Sequence, residues 1–210
     1  LTFDEIGTSN RFAKLVIVVG HGNTSINNPF QSAYNCGACQ GHDGGINARL
    51  FARCANDPEV RRILKETHHI VIPDDTCFLA ADHNTCNDTI VYYDEDRVPM
   101  ESHGQRLREA QGIIAAALGK NAWERCYRFL LARPSSPEEA LAHVGRRAVD
   151  YSEVRPELNH ATNAMVVVGR RDLTKGRFLD RRSFLCSYDP FTDDAEGTRL
   201  QRALTPALVV

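Results

Sequence analysis

The chain has 210 residues and a formal charge of −2, long enough for one sizeable core and too evenly charged for a polybasic nucleic-acid face or an acidic tail. Its longest apolar runs, Leu15–Val19, Ile113–Leu118 and Met165–Val168, fall far short of the ~20 residues that a membrane-spanning helix needs. Its 7 cysteines are an odd number without framework spacing, which favours free thiols or metal ligands in a reducing compartment over a disulfide scaffold.

No signal peptide is visible at the start. The first residue, Leu1, and the apolar end, Leu204–Val210, suggest a piece of something longer. Thr2–Phe12 reads as a lead-in. Leu15–Val19 is apolar on both faces, which predicts a central, parallel strand. Hydrophobicity then stops at once, in Gly20-His21-Gly22-Asn23. A long Asn-, Gly- and Ser-rich loop follows, carrying Cys36-Gly37-Ala38-Cys39, His42, Asp43, Gly44 and Gly45. Loops of such length inside a domain are usually functional or disordered, and the Cys and His content favours function. A strand that delivers a histidine at its tip, with a loop that returns a cysteine, is one way an α/β protein builds a metal site. Such sites lie beyond the carboxyl ends of the strands. Neutral imidazole and thiolate together suit zinc. The same residues also fit a plain tight turn and two small buried cysteines or a redox pair.

Gly45–Cys54 predicts a helix with an apolar stripe of Ile46, Leu50 and Phe51, and Arg49 and Arg53 off it. Asn56-Asp57-Pro58 is a helix start, and Pro58–Thr67 should bury Val60, Ile63 and Leu64. His68–Pro73 is a connection or short strand. Asp75–Ala81 and Asp88–Tyr93 are strand candidates, the first ending in Asp82-His83-Asn84-Thr85. Two helices are predicted next, Glu101–Leu118 (Leu107, Ile113, Ile114 and Leu118 inward) and Asn121–Ala132 (Trp123, Tyr127, Phe129 and Leu130 as core). A third, from Pro137 to about Val149, is capped by Ser136. Asn163–Val168 is a strand ending at Gly169-Arg170-Arg171, Asp180–Tyr188 is short and mixed, and Glu196–Leu204 is a last helix. Strand and helix patterns alternate, so the class is α/β with a mostly parallel sheet flanked by helices.

Several blocks together carry a family likeness. They are His21, Cys36-Gly37-Ala38-Cys39, Gly45-Ile46-Asn47-Ala48-Arg49, His83-Asn84-Thr85 with Asp88, Ser152-Glu153-Val154-Arg155-Pro156-Glu157, and Leu179–Leu185 with Ser187-Tyr188-Asp189. In these the chain resembles the DabA family, the large subunit of bacterial inorganic-carbon accumulating complexes, over most of its length. The resemblance implies a distantly β-carbonic-anhydrase-like α/β fold and a zinc ion, Zn2+. It further implies that the chain, 1–210, is one α/β domain from the C-terminal part of a larger subunit, with a helical insertion at 101–149. In the family the zinc is expected to be held by a Cys and an Asp from an N-terminal Cys-x-Asp-x-Arg strand, and by a His and a Cys that correspond to His21 and Cys36. Cys86-Asn87-Asp88 lacks the arginine and is read as no counterpart of the first pair.

The implied function is part of an energy-coupled CO2/bicarbonate uptake complex, with this chain supplying half of the zinc site and inactive alone. The implied partners are the N-terminal half of the subunit and an integral membrane ion-translocating subunit of DabB type. The implied location is peripheral, on the cytoplasmic side of the bacterial inner membrane. Cys39 is expected to be structural, and His42 and Asp43 to line the mouth of the site. Of Arg49, Arg155, Arg170 and Arg171, candidates for an anion path, all but Arg155 read as solvated surface arginines. His83 is a candidate neighbour of the site, while His68, His69, His103, His143 and His160 have no assigned role. Two alternatives stay open: a structural zinc site formed by His21, Cys36, Cys39 and His42, and a dithiol redox protein.

Overall fold

A computed structural model describes residues 12–24, 26, 34–153, 163–179 and 182–209, with the side chains of 38 and 206–209 left out. The Thr2–Phe12 lead-in except Phe12, together with His160, Arg155 and most of the Ser152–Glu157 block, lies outside these residues. The described strands form two sheets. In the first, β1 (Leu15–Gly22) pairs in parallel with β2 (Cys77–Asn84), and β2 pairs antiparallel with β3 (Thr89–Tyr93). In the second, β4 (Met165–Gly169) pairs in parallel with β5 (Ser183–Ser187). The class is mixed α/β, and two of the three pairings are parallel.

The sequence points to β1 as the central strand, and this is corrected. The middle strand is β2, whose first six residues are all buried, whereas Val19 of β1 is 49% exposed. An apolar composition reports that a strand is suited to burial. Its place in the sheet depends on which distant strands reach it.

Side chains alternate across the first sheet. Val16, Val18, Phe78 and Ala80 face α1 (Gly45–Asn56), while Leu15, Ile17, Cys77 and Leu79 face Val98 and Leu107, the latter on α3 (Met100–Cys126). The buried side of α1 is Gly45, Ala48, Ala52 and Ala55. The expected Ile46–Leu50–Phe51 stripe is therefore corrected: Ile46 is 77% and Leu50 60% exposed, and only Phe51 reaches the core. The helix starts against the tip of β1, and only a small-residue face lets its backbone come that close.

α2 (Pro58–His68) begins as its cap predicts. Asp57 accepts from the amides of Glu59 (2.9 Å) and Val60 (3.0 Å), with Pro58 in the first turn. It buries no residue fully, and Ile63 is exposed, against expectation. Of the predicted His68–Pro73 connection or strand, His68 ends α2 and the rest is a connection, with Ile70 and Ile72 in the core.

The two helices predicted after Glu101 are one helix, α3. Gly119 does not break it, since this glycine is where α3 passes α4 (Pro137–Ala148). A Cβ there would stand 2.9 Å from the Cβ of Pro137. Residues past Cys126 form turns, leaving Tyr127 and Leu130 exposed and Phe129 and Ala132 buried, while Ile113 also faces outward. Ser136 caps α4 as expected, accepting from the Glu139 amide at 3.2 Å. The described part ends with α5 (Thr198–Val209), which packs on β4.

Candidate metal centre

β1 and β2 run in register to their ends, Gly20 opposite Asp82, His21 opposite His83 and Gly22 opposite Asn84. Both strands therefore release polar residues at one carboxyl edge. The glycines beside His21 leave room for close approach, of backbone at Gly20 and of carboxylates at Gly22. A Cβ on Gly20 would sit 2.5 Å from the Gly44 carbonyl carbon, and one on Gly22 would sit 2.3 Å from Asp43 Oδ2. Through this close approach the Gly44 amide donates to the His21 carbonyl at 2.8 Å, and α1 starts one residue later.

The loop back to α1 carries the cysteines. Cys36 forms an isolated bridge with His42, its amide donating to the His42 carbonyl at 3.2 Å. Cys36-Gly37-Ala38-Cys39 closes as a tight turn, with Gln40 in the left-handed region at φ 57°. The backbone of Cys36 is thus pinned to His42, two residues before the Gly44 whose amide holds the His21 carbonyl. Cys39 is engaged by the Asn47 amide, whose Nδ2 donates to the sulfur at 3.2 Å. His42 is exposed.

Residues alternate across the edge, so His21 and Asp82 lie on opposite faces. On the first face His21 Nε2 is 3.1 Å from Thr85 Oγ1. Thr85 Oγ1 also accepts from Asn23 Nδ2 (3.2 Å) and donates to the Gly22 carbonyl (3.3 Å). The Thr85 amide donates to the same carbonyl at 2.9 Å. Behind Thr85 lies a buried ion pair. Arg125 of α3, 2% exposed, donates to Asp88 Oδ2 (2.8 Å) and to the carbonyls of Thr85 (3.2 Å) and Cys86 (3.0 Å). Asp88 also contacts His83 Nε2 at 3.0 Å and accepts from Asn121 Nδ2 at 2.7 Å. Burial alone would raise the Asp88 carboxyl, but the hydrogen bond with His83 and the charge of Arg125 outweigh it and hold it below the usual carboxylate range. Cys86-Asn87-Asp88 is thus a clamp between the β2–β3 turn and α3. His83 faces this clamp.

On the second face Asp82 meets Asp43. Asp82 is 8% exposed, and its Oδ1 is buried without a hydrogen-bond partner among the described residues. A Cβ on Gly22 would lie 3.1 Å from Asp82 Oδ2, beside the Asp43 carboxylate, and one on Gly45 would lie 2.7 Å from the Tyr93 hydroxyl. Burial first, and then the charge and hydrogen bonding of Asp43, push the Asp82 carboxyl up to about 6. Asp43 also accepts from the amide of Gly45, the first residue of α1, at 2.6 Å. Burial, with the Asp82 and Asp43 charges behind it, raises the Tyr93 hydroxyl.

The arginines considered for an anion path are spread apart. Arg49 and Arg53 clamp Asp94, with Arg49 bidentate at 2.8 and 2.6 Å. Arg170 lies over the Phe191 ring, and Arg171 donates to the Leu185 carbonyl at 2.9 Å. Among the remaining histidines, His103 is buried between the carbonyls of Lys14 and Asp75.

Sequence reading missed Asp82, Thr85, Asn23 and Arg125 as members of this edge. The polar run Asp82–Thr85 at a strand end was the available signal for two of them. Nothing local marked Arg125, which sits inside an ordinary helix. Among the described residues no group of three or more His, Cys, Asp or Glu side chains is placed to hold a metal, so His21, Cys36, Cys39 and His42 are not assembled as a four-ligand shell.

These features define a mixed α/β protein with His21 and Asp82 at the carboxyl edge of paired parallel strands, and with the loop that bears Cys36 tied by its backbone beside that edge. The chain belongs to the family described as “Probable inorganic carbon transporter subunit DabA”, which matches residues 1–210. It is 54% identical over 207 residues to “Probable inorganic carbon transporter subunit DabA 2” of Sorangium cellulosum (strain So ce56), covering 98% of this chain and 20% of that protein. It is 49% identical over 204 residues to “Probable inorganic carbon transporter subunit DabA” of Methylococcus capsulatus (strain ATCC 33009 / NCIMB 11132 / Bath), covering 96% of this chain and 19% of that one. The chain thus spans about a fifth of the length of these relatives. No solved structure matches it. Among the described residues no helix is long and apolar enough to cross a membrane.

Proposed function

We propose that this chain supplies His21 and Cys36 as one half of a zinc site in a β-carbonic-anhydrase-like subunit of an energy-coupled inorganic carbon uptake complex. What supports the reading is His21 at the carboxyl end of β1, with the loop that bears Cys36 tied by backbone hydrogen bonds beside that strand end, in a chain whose relatives are named as transporter subunits. The donor chemistry fits zinc. Two donors are half of a tetrahedral set, so the other ligands come from the rest of a family-length polypeptide, where the resemblance expects a Cys and an Asp. Zinc bound there supplies a Lewis acid that lowers the pKa of a coordinated water to about 7, suited to hydrating CO2 at neutral pH. The chain's own residues do the positioning. The Gly44 amide fixes the His21 backbone, Thr85 contacts its ring, and the bridge to His42 fixes Cys36. The membrane partner is an ion-translocating subunit of DabB type, and the location is peripheral, on the cytoplasmic side of the inner membrane.

The second reading is a structural zinc bound by His21, Cys36, Cys39 and His42. The Asn47 amide on Cys39 and the outward position of His42 favour the half-site instead. Elemental analysis of zinc per chain separates the two, measured on this protein and on a family-length polypeptide that contains it. His21→Ala and Cys36→Ala should each abolish zinc in the longer polypeptide, while Cys39→Ala and His42→Ala should retain it. Loss in all four variants would establish the structural site. A zinc-free family-length polypeptide would sink both readings.

A further inference from the structure

β1 lies at one side of the first sheet, and its hydrogen bonds show which main-chain groups face outward. The Lys14 carbonyl accepts from the Cys77 amide at 2.7 Å, and the Gly22 carbonyl from the Thr85 amide at 2.9 Å. The even-numbered residues of β1 therefore turn their main chain toward β2. Neighbouring residues of a strand point these groups to opposite sides, so Leu15, Ile17 and Val19 turn theirs away from β2. Among the described residues none of those N–H and C=O groups has a hydrogen-bond partner. The outward side closes only at the end of the strand, where the His21 carbonyl accepts from the Gly44 amide at 2.8 Å.

This stretch is not built as an edge. Edge strands are guarded by charges, prolines or bulges, because open main-chain groups recruit other strands. Leu15-Val16-Ile17-Val18-Val19 has no charge and no proline, and its register with β2 runs without a bulge. Its two faces are already packed, Val16 and Val18 on the side of α1, Leu15 and Ile17 on the side of Val98 and Leu107. Even so, none of Leu15 to Val19 is buried, whereas their partners in register, Cys77 to Ala81, all are. The two strands lie between the same two layers. What β1 lacks, among the described residues, is a neighbour beside it.

We propose that a strand from the rest of the family-length polypeptide adds to this edge, parallel to β1 and alongside Leu15–Val19. The relatives have the length for it, since this chain spans about a fifth of them and a parallel addition needs a crossover of roughly a dozen residues or more. The direction follows from composition, because a strand apolar on both faces is characteristic of the interior of a parallel sheet. A second copy related by a two-fold axis would instead set β1 against β1 in opposite directions. Main-chain hydrogen bonds hold the added strand, and the contact between Gly44 and His21 sets where it stops. Its carboxyl end then reaches the same edge of the sheet as His21. This deepens the proposed function by saying how the rest of the polypeptide reaches that edge, and it takes from that reading only the source of the strand.

The test is amide hydrogen exchange on the family-length polypeptide, read residue by residue by mass spectrometry. The amides of Ile17 and Val19 should exchange roughly 100-fold or more slowly than exposed amides, as those of Val16 and Val18 do through β2. Slow exchange at Val16 and Val18 with fast exchange at Ile17 and Val19 overturns the proposal. A photo-cross-linking side chain in place of Val19, which is 49% exposed, then identifies the neighbour. The expected link is to a segment of the same polypeptide outside 1–210. Links only within 1–210, to a second copy in an isotope-mixed sample, or to another subunit overturn it. The same side chain in place of Leu15 should reach an earlier residue of that segment than Val19 does, and the reverse order rules out the parallel strand. Elemental analysis of the same sample keeps the two readings apart. Slow exchange in a zinc-free polypeptide leaves the strand and removes the metal, and fast exchange in a zinc-bound one does the opposite.

Discussion

The two faces of one sheet edge are built on opposite principles. On the face of His21, each charge has a partner. Asp88 meets Arg125, His83 and Asn121, and Thr85 has three groups around one hydroxyl. On the other face, two carboxylates are set against each other, and a buried oxygen of Asp82 has no hydrogen-bond partner among the described residues. The first face holds side chains still. The second stores unfavourable electrostatics that only a proton relieves. Satisfied polar networks rigidify a site, whereas an unrelieved buried charge costs stability.

The largest effect should come from breaking the quiet face. Arg125→Ala leaves Asp88 buried and unpaired, and should cost about 3–5 kcal/mol in a chemical denaturation experiment. A cost under about 1 kcal/mol would mean that water or His83 replaces the arginine.

Next comes the glycine between the faces. Gly22→Ala places a methyl where Asp43 Oδ2 now sits, at 2.3 Å, and should cost up to about 3 kcal/mol. In the Asp43→Ala background the same change should cost far less. Equal costs in both backgrounds would show that the clash is not with Asp43.

The smallest expected effect is a gain, and it depends on pH. The Asp82 carboxyl lies at about 6 in the folded protein and at 3.8 as an ordinary carboxyl. The folded state therefore binds this proton more tightly, and stability falls as pH rises from about 4 through about 6. Asp82→Asn should raise stability at pH 8 by on the order of 2 kcal/mol and change little at pH 4. A gain that is equal at both pH values would mean that packing, not charge, sets the difference. A loss at pH 8 would mean that the ionised carboxylate is held by something the pair recruits.

Much of the local structure was legible in the chain itself. Asp57-Pro58 and Ser136-Pro137 start α2 and α4 where capping chemistry says they must. The apolar run from Leu15 is a strand, and it does end in a histidine flanked by glycines. Family membership was legible too, in dispersed blocks that cover most of the length. These features depend on neighbours a few residues apart, and sequence order carries such relations directly.

Tertiary structure decided the rest, because the partners are distant in the chain. It put β2 rather than β1 in the middle of the sheet and turned the alanines of α1 inward in place of Ile46 and Leu50. It carried α3 straight through Gly119, where a glycine is the space that α4 needs. It also brought Asp43 to Asp82 and Arg125 to Asp88 and Thr85. Periodicity can say that a residue lies on a face. Only the packed chain says what that face meets, and the chemistry of this edge is made of such meetings.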